Sequence, residues 1–369
     1  MKNNFLLFLL FLVATKNFAQ IQNHNLIIGT YTKACDSKGI YVYNFDSKTG
    51  KTLFKAATDQ IINPSFVSLN DNHKMLYSVN ENGSESAVSA FGFDSTSGKM
   101  TFLNQESSQG ADPCHIINDQ QNVLVSNYSG GSIAVFKKIS DGSLSVVKQL
   151  IPHFGKGANA KRQQSPHVHQ LQFSSDKKYV LATDLGNDRI YTYIYNPNEL
   201  VNVLEIKDSI YLKPGSGPRH LTFSPDGKNV YLMQELDGKI AIFDFKNGFL
   251  KLKGHSTVVS KGFKGETSAA DIHISPDGQF LYATNRGTAN DISCFKIQKN
   301  GLLKFVSRTS TFGKGPRNFA IDPSGNFLLV AHQYTNNVVV FSRDLISGKL
   351  TNTKQDIELC SPVCLVFEP

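Results

Sequence analysis

The chain has 369 residues, 40% hydrophobic and 18% charged, enough apolar material for a large core and too little charge for a disordered polymer. Its 28 Gly and 13 Pro are spread along the whole length, which suits many short strands parted by turns and suits a helical bundle poorly. The formal charge of +8 comes without a Lys/Arg run or a nucleic-acid-binding motif; this leaves a basic solvated surface or a site for small anions, and sets nucleic acid aside.

The chain opens on a positive residue, Lys2, followed by an unbroken apolar run from Phe5 to Ala14. A run of that length is short for a bilayer span and typical of a secretory leader. Ala19 supplies the small residue before a cut at Gln20, so residues 1–19 are expected to be a signal peptide and the protein periplasmic or secreted. No later segment is apolar enough to span a membrane. The five cysteines, Cys35, Cys114, Cys294, Cys360 and Cys364, are odd in number and irregular in spacing. They form no disulfide framework and no zinc pattern, and the pairing of Cys360 with Cys364 stays open.

From Asn25 to Glu368 the chain repeats itself, and this stretch is expected to be one domain. Gly217-Pro218-Arg219-His220-Leu221-Thr222-Phe223-Ser224-Pro225-Asp226-Gly227 returns as Ala269 to Gly278 and as Gly315 to Gly325. Each copy is a short strand ending in a Ser/Asp-Pro-Asp/Ser-Gly reversal. A second apolar strand, a third strand ending in an aromatic, and a fourth strand opened by Gly follow. Anchors at Pro64, Pro113, Pro166, Pro218, Ala270, Pro316 and Pro362 recur roughly every 46–53 residues, the length of a four-stranded propeller blade. The last anchor begins only an inner strand, Pro362 to Phe367, and Asn25 to Tyr31 reads as a second strand. The expected fold is therefore all-β, a seven-bladed β-propeller of four-stranded antiparallel blades, its ring closed by the N- and C-terminal strands in one blade.

Inner strands of a propeller line the central channel. The position after each anchor collects Ser65, Cys114, His167, Arg219, Asp271, Arg317 and Val363. His169 shares the face of His167, and His273 that of Asp271. The ends of the second strands, beside the starts of the first, collect Glu81, Tyr128, Leu185, Glu235, Arg286 and Gln333. Both sets belong to one mouth of the channel. A lone His at such a turn most often satisfies backbone groups. Arg219, Arg286 and Arg317 together point instead to an anion, because guanidinium forks match carboxylate and phosphate. His167-Val168-His169 without a placed carboxylate is a weak metal signal, so no metal and no cofactor are expected. Glu81, Glu235 and Asp271 in separate blades leave a chelator-sensitive site as an alternative.

The segments Ser165 to His169, Gly217 to His220, Gln234-Glu235-Leu236, Ala269 to Gly278 and Asn285-Arg286 resemble the seven-bladed β-propeller lactonases, the 6-phosphogluconolactonase and carboxymuconate cyclase type. The resemblance covers the chain from about Asn25 to Phe367. It implies a channel-mouth site acting on a lactone, with His167 or His169, Arg219, Glu235 and Arg286 as catalytic residues. Arg317, Asp271 and His273 are expected to bind substrate. A lactone is a cyclic ester, and no Gly-x-Ser-x-Gly elbow is present, so water is the expected nucleophile. Glu235 or one of the two His would take its proton, and Arg219 and Arg286 would steady the oxyanion. The expected ligand is a small lactone or sugar acid and the expected state a monomer. The rival reading is an exported propeller that binds a small anion or a protein and does no chemistry.

Overall fold

The structure is a computed structural model and describes residues 23–368; the leader expected over residues 1–19 lies outside them. Seven four-stranded antiparallel sheets stand around a central channel. In six of them the strands run outward in chain order, as in the fifth blade: Pro218–Phe223, Asn229–Gln234, Lys239–Lys246 and Phe249–Thr257. The first blade takes its innermost strand, Pro362–Phe367, from the other end of the chain and adds Asn23–Thr30, Ile40–Asp46 and Thr52–Ala57. Leu26 pairs Phe367 and Ile28 pairs Leu365, so the two ends of the chain close the ring. Among the described residues no helix is long and apolar enough to cross a membrane.

The burial pattern explains why the blades stack. Second strands are buried along nearly their whole length, whereas outermost strands alternate partly buried and exposed residues. A sheet apolar on both faces has to be covered on both. Seven apolar clusters do this, each joining two adjacent blades; Tyr231, Ile242, Ile272 and Phe295, for example, join the fifth to the sixth.

The reversals predicted from Ser-Pro-Asp-Gly form as read. The Ser224 hydroxyl donates to Asp226 at 2.6 Å, and the Gly227 amide donates to the Ser224 carbonyl at 2.8 Å. Gly227 sits at φ +69°, where a side chain would be strained. Cys360 pairs with Cys35, with Cα atoms 5.9 Å apart. Cys364 points into the core between the first two blades, which takes it away from Cys360. The disulfide ties the loop after the first strand to the turn that delivers the last one.

The strand pairing departs from the register that the prolines suggest. The partners of the second-strand ends Asn127, Asp184, Gln234, Asn285 and His332 are Pro113, Val168, Pro218, Ala269 and Pro316. Pro166 and Ala270 are therefore not equivalent to Pro218. The position of Arg219 and Arg317 is held by His169 and Ala270, not by His167 and Asp271. Asp271 shares the position of His220 instead. The prolines mislead because the chain enters the fourth blade by a longer path, whereas the Ser-x-Asp turns keep the true register.

Candidate active site

The pairing of first and second strands shifts within the first residues of the inner strand in six blades, between Pro113 and His115, Val168 and Gln170, Pro218 and Leu221, Ala269 and Ile272, Pro316 and Asn318, and Pro362 and Cys364. A bulge leaves a residue out of the ladder and re-aims its side chain. Cys114, His169, Arg219 and Arg317 sit at these bulges, beside the second-strand ends that carry Glu81, Tyr128, Glu235 and Arg286.

Glu235 is the centre of the constellation, with a side chain only 3% exposed. Arg286 Nη2 donates to its Oε2 at 2.9 Å, Arg219 Nε lies 3.1 Å from the same oxygen, and Arg162 Nη2 donates to Oε1 at 2.7 Å. Burial alone would raise the carboxyl's pKa; Arg286, Arg219 and Arg162 outweigh it and pull the value to about 2. Arg219 also donates to the Ala270 carbonyl, and Arg286 Nε to the Ser268 carbonyl at 3.1 Å, so backbone acceptors fix both guanidiniums. Burial, with Arg286 and Arg317 nearby, pushes Arg219 below the usual arginine range.

A second cluster lies around Arg317. Its Nη2 donates to the Tyr31 hydroxyl at 3.0 Å, and that hydroxyl donates to Glu81 at 3.0 Å. Ser65 also donates to Glu81. Burial raises the Glu81 pKa against the pull of Arg317 and these hydrogen bonds. The two clusters together hold Arg162, Arg219, Arg286 and Arg317 against Glu81 and Glu235, so guanidiniums outnumber carboxylates.

The two histidines of His167-Val168-His169 part company. His167 is half-buried and stacks on Tyr128 with ring centroids 4.5 Å apart. Its Nδ1 lies 3.0 Å from the Tyr128 carbonyl, which can only accept, so the proton sits on Nδ1 and Nε2 keeps its lone pair in the neutral ring. His169 is buried against Cys114 and lies 5.1 Å from the ring of His220. Burial, helped by Arg219 and His220, holds His169 well below the usual histidine range and therefore neutral.

Asp271 and His273 do not join the guanidiniums. Asp271 accepts from His220 Nδ1 at 2.7 Å, His273 Nε2 at 2.8 Å, Asn318 Nδ2 at 2.6 Å and the Phe319 amide at 3.2 Å. These donors occupy the carboxylate and tie the fifth, sixth and seventh blades together. Gln170 and Asn318 likewise accept the amides of Leu221 and Leu365 in the next blade, so this ring of side chains is an inter-blade belt. A substrate contact by Asp271 would have to displace part of it.

The structure adds Arg162, which the repeat does not reveal, and Tyr31, which follows the second strand of the first blade as Glu81 and Tyr128 follow theirs, and it brings Tyr128 into contact with the site. Arg162 lies in the 153–167 connection, outside every blade, and also donates to the Tyr128 hydroxyl at 3.2 Å. The signal that points to it is length: this connection has 15 residues, the other six between blades 3 to 11. A surface cavity of about 610 Å³ lies elsewhere, between the first two blades, lined by Gln60, Ile62, Phe102 and Gln105.

Comparison with known proteins places this geometry. The family described as "Lactonase, 7-bladed beta-propeller" matches residues 25–367. A 6-phosphogluconolactonase of Formosa agariphila is 39% identical over 339 residues, covering 90% of this chain and 96% of its own. A crystal structure from Bacteroides fragilis superposes with a TM-score of 0.91 at 39% identity, covering 95% of this chain and 99% of its own. The periplasmic gluconolactonase of Pseudomonas aeruginosa superposes with a TM-score of 0.89 at 35% identity, covering 94% of this chain and 99% of its own.

Proposed function

The chain belongs to the seven-bladed β-propeller lactonase family, and we propose that it hydrolyses a sugar-acid lactone, 6-phosphogluconolactone-like, to the open acid by attack of water at the Arg162–Arg219–Glu235–Arg286 mouth. The family makes it a lactonase, a carboxylic ester hydrolase; the substrate and the roles of residues are this proposal's. The observation that carries it is the set of guanidiniums gathered on one buried carboxylate. A tetrahedral oxyanion forming beside them meets charge already in place, and the channel wall keeps bulk water from weakening it.

Of the three proton acceptors open from the sequence, Glu235 is the weakest base. A carboxyl held at about 2 has little affinity for a proton, so it serves best to fix Arg219, Arg286 and Arg162. His169 is buried among sulfur and imidazole neighbours. In its neutral form His167 carries the free lone pair on Nε2, on a ring fixed by the Tyr128 carbonyl and face, the arrangement a general base needs. The proposed step is deprotonation of water by His167 as its oxygen attacks the carbonyl. Arg219 and Arg286 stabilise the oxyanion, and collapse expels the ring oxygen, which regains the proton from His167.

Export is part of the proposal. A leader over residues 1–19, the Cys35–Cys360 disulfide and a structural neighbour described as periplasmic all support it.

Substitution separates this reading from a binding propeller that does no chemistry. Arg219→Ala should lower kcat by about 10²- to 10³-fold, the usual effect of removing an oxyanion donor. His167→Gln should lower it by about 10²- to 10⁴-fold. Full turnover in both variants sinks the assignment.

A further inference from the structure

We propose that Arg162 is a specificity-determining residue that reads an anionic substituent, phosphate or carboxylate, at the end of the substrate remote from the scissile ester. The inference rests on the proposed site but concerns a residue outside its blades.

Arg219 and Arg286 are anchored to backbone carbonyls, share one oxygen of Glu235, and are almost wholly buried. Arg162 stands apart on the other oxygen, with a side chain 41% exposed. Among the described residues only its Nη2 is engaged, by Glu235 and the Tyr128 hydroxyl, which leaves Nε and Nη1 to face a ligand. Nothing has to break for it to bind. Glu235 keeps the guanidinium in place, and Nε and Nη1 then each offer a charged donor, on different edges of the plane, to an oxygen of an anion.

Charge supports the same reading. One carboxylate cannot neutralise three guanidiniums, so the Glu235 cluster carries excess positive charge, while Arg317 is linked to Glu81 through the Tyr31 hydroxyl. The 153–167 connection adds exposed Lys156 and Lys161 and contains no Asp or Glu. The connection is itself held firmly. Gln163 Nε2 donates to the Leu185 carbonyl at 2.8 Å, and the buried Asp184 accepts the His167 amide at 2.7 Å and His153 Nδ1 at 2.8 Å. Arg162 is thus presented from a fixed support.

The test uses the leaderless protein and three product-type acids, 6-phosphogluconate, glucarate and gluconate, the last lacking the second anionic group. Binding is measured by calorimetry on wild type, Arg162→Ala and Arg162→Lys, with thermal melts to verify folding. Wild type should prefer 6-phosphogluconate, glucarate or both over gluconate, and the preferred acid tells phosphate from carboxylate. Arg162→Ala should cut that preference about 10- to 100-fold, the range for a hydrogen bond to a charged group, and Arg162→Lys should fall between. An unchanged preference, equal weakening of all three acids, or no preference in wild type overturns the assignment. Lactone turnover is followed separately: selective binding with no hydrolysis refutes the lactonase reading and leaves the role of Arg162 standing.

Discussion

The three guanidiniums on Glu235 differ in what else holds them, and that difference sets what each substitution should do. Arg219 and Arg286 have backbone acceptors; the carboxylate has only arginines. Glu235→Gln keeps the shape and removes the one charge that compensates them. Removing one partner of a buried ion pair costs about 3–5 kcal/mol, so the urea midpoint of the variant should fall steeply along with its activity. An unchanged midpoint would show that the arginines do not depend on Glu235. Acid should act in the same direction. His115, His169 and His220 are buried and held below their ordinary 6.5, His220 at about 4, so the native state favours their neutral forms. Their contribution is present above 6.5 and is lost as pH falls toward their folded values. Glu235, lowered from 4.5 to about 2, adds a loss that begins below 4.5. His273, raised by Asp271 against burial, has the opposite sign: its contribution is present below 6.5 and lost as pH rises. With His332, which burial also lowers to about 4, four depressed histidines against one raised predict a melting temperature that drops between pH 7 and 4; a flat profile contradicts it. Arg219, Glu235, Arg286 and Arg317 were legible because they occupy repeat positions. Arg162 was not, because its connection follows no repeat, and the separation of His167 from His169 was hidden by the extra residues that carry the chain into the fourth blade.

Individual strands and hairpins are joined by one recurring bond. Tyr77, Tyr231 and Tyr282, each buried in a second strand, donate their hydroxyls to the carbonyls of Gly142, Gly301 and Gly348 in the outer hairpin of the next blade, at 3.0, 2.9 and 2.6 Å. Each glycine has positive φ, and a Cβ on Gly348 would lie 2.4 Å from the ring of Phe280. The glycine makes room for its neighbour's wall, and the tyrosine satisfies the carbonyl there. Tyr282→Phe leaves that buried acceptor without its donor, which should cost about 1–3 kcal/mol in equilibrium unfolding. A loss below the error of the measurement would mean that water replaces the hydroxyl. The strand order and turns of each blade were readable from alternation and from Ser-Pro-Asp-Gly. This inter-blade bond was not, since the partners lie 65 to 70 residues apart and neither is unusual alone.

Across the whole molecule, closure decides whether the seven interfaces act as one. The terminal strands pair in the first blade, and the disulfide fastens the same seam from the mouth side. The strand closure could be read from a repeat that begins on its second strand and ends on its first. The pairing of Cys35 with Cys360 could not, because their separation of 325 residues becomes contact only once the ring is shut. Cys35→Ser should destabilise the protein by about 2–4 kcal/mol, and reductant should do the same to wild type but not to the variant. Equal melting with and without reductant would show that the strands alone hold the seam. A closed ring also explains how residues from separate blades and one long connection meet at one mouth. The measurement that tests this account most directly is acid release from 6-phosphogluconolactone, gluconolactone and a carboxymuconolactone by leaderless wild type, Arg219→Ala and His167→Gln, with and without chelator. Turnover of at least one lactone should survive chelator and fall at least about 100-fold in each variant. No turnover of any of the three, or full turnover in both variants, would contradict it.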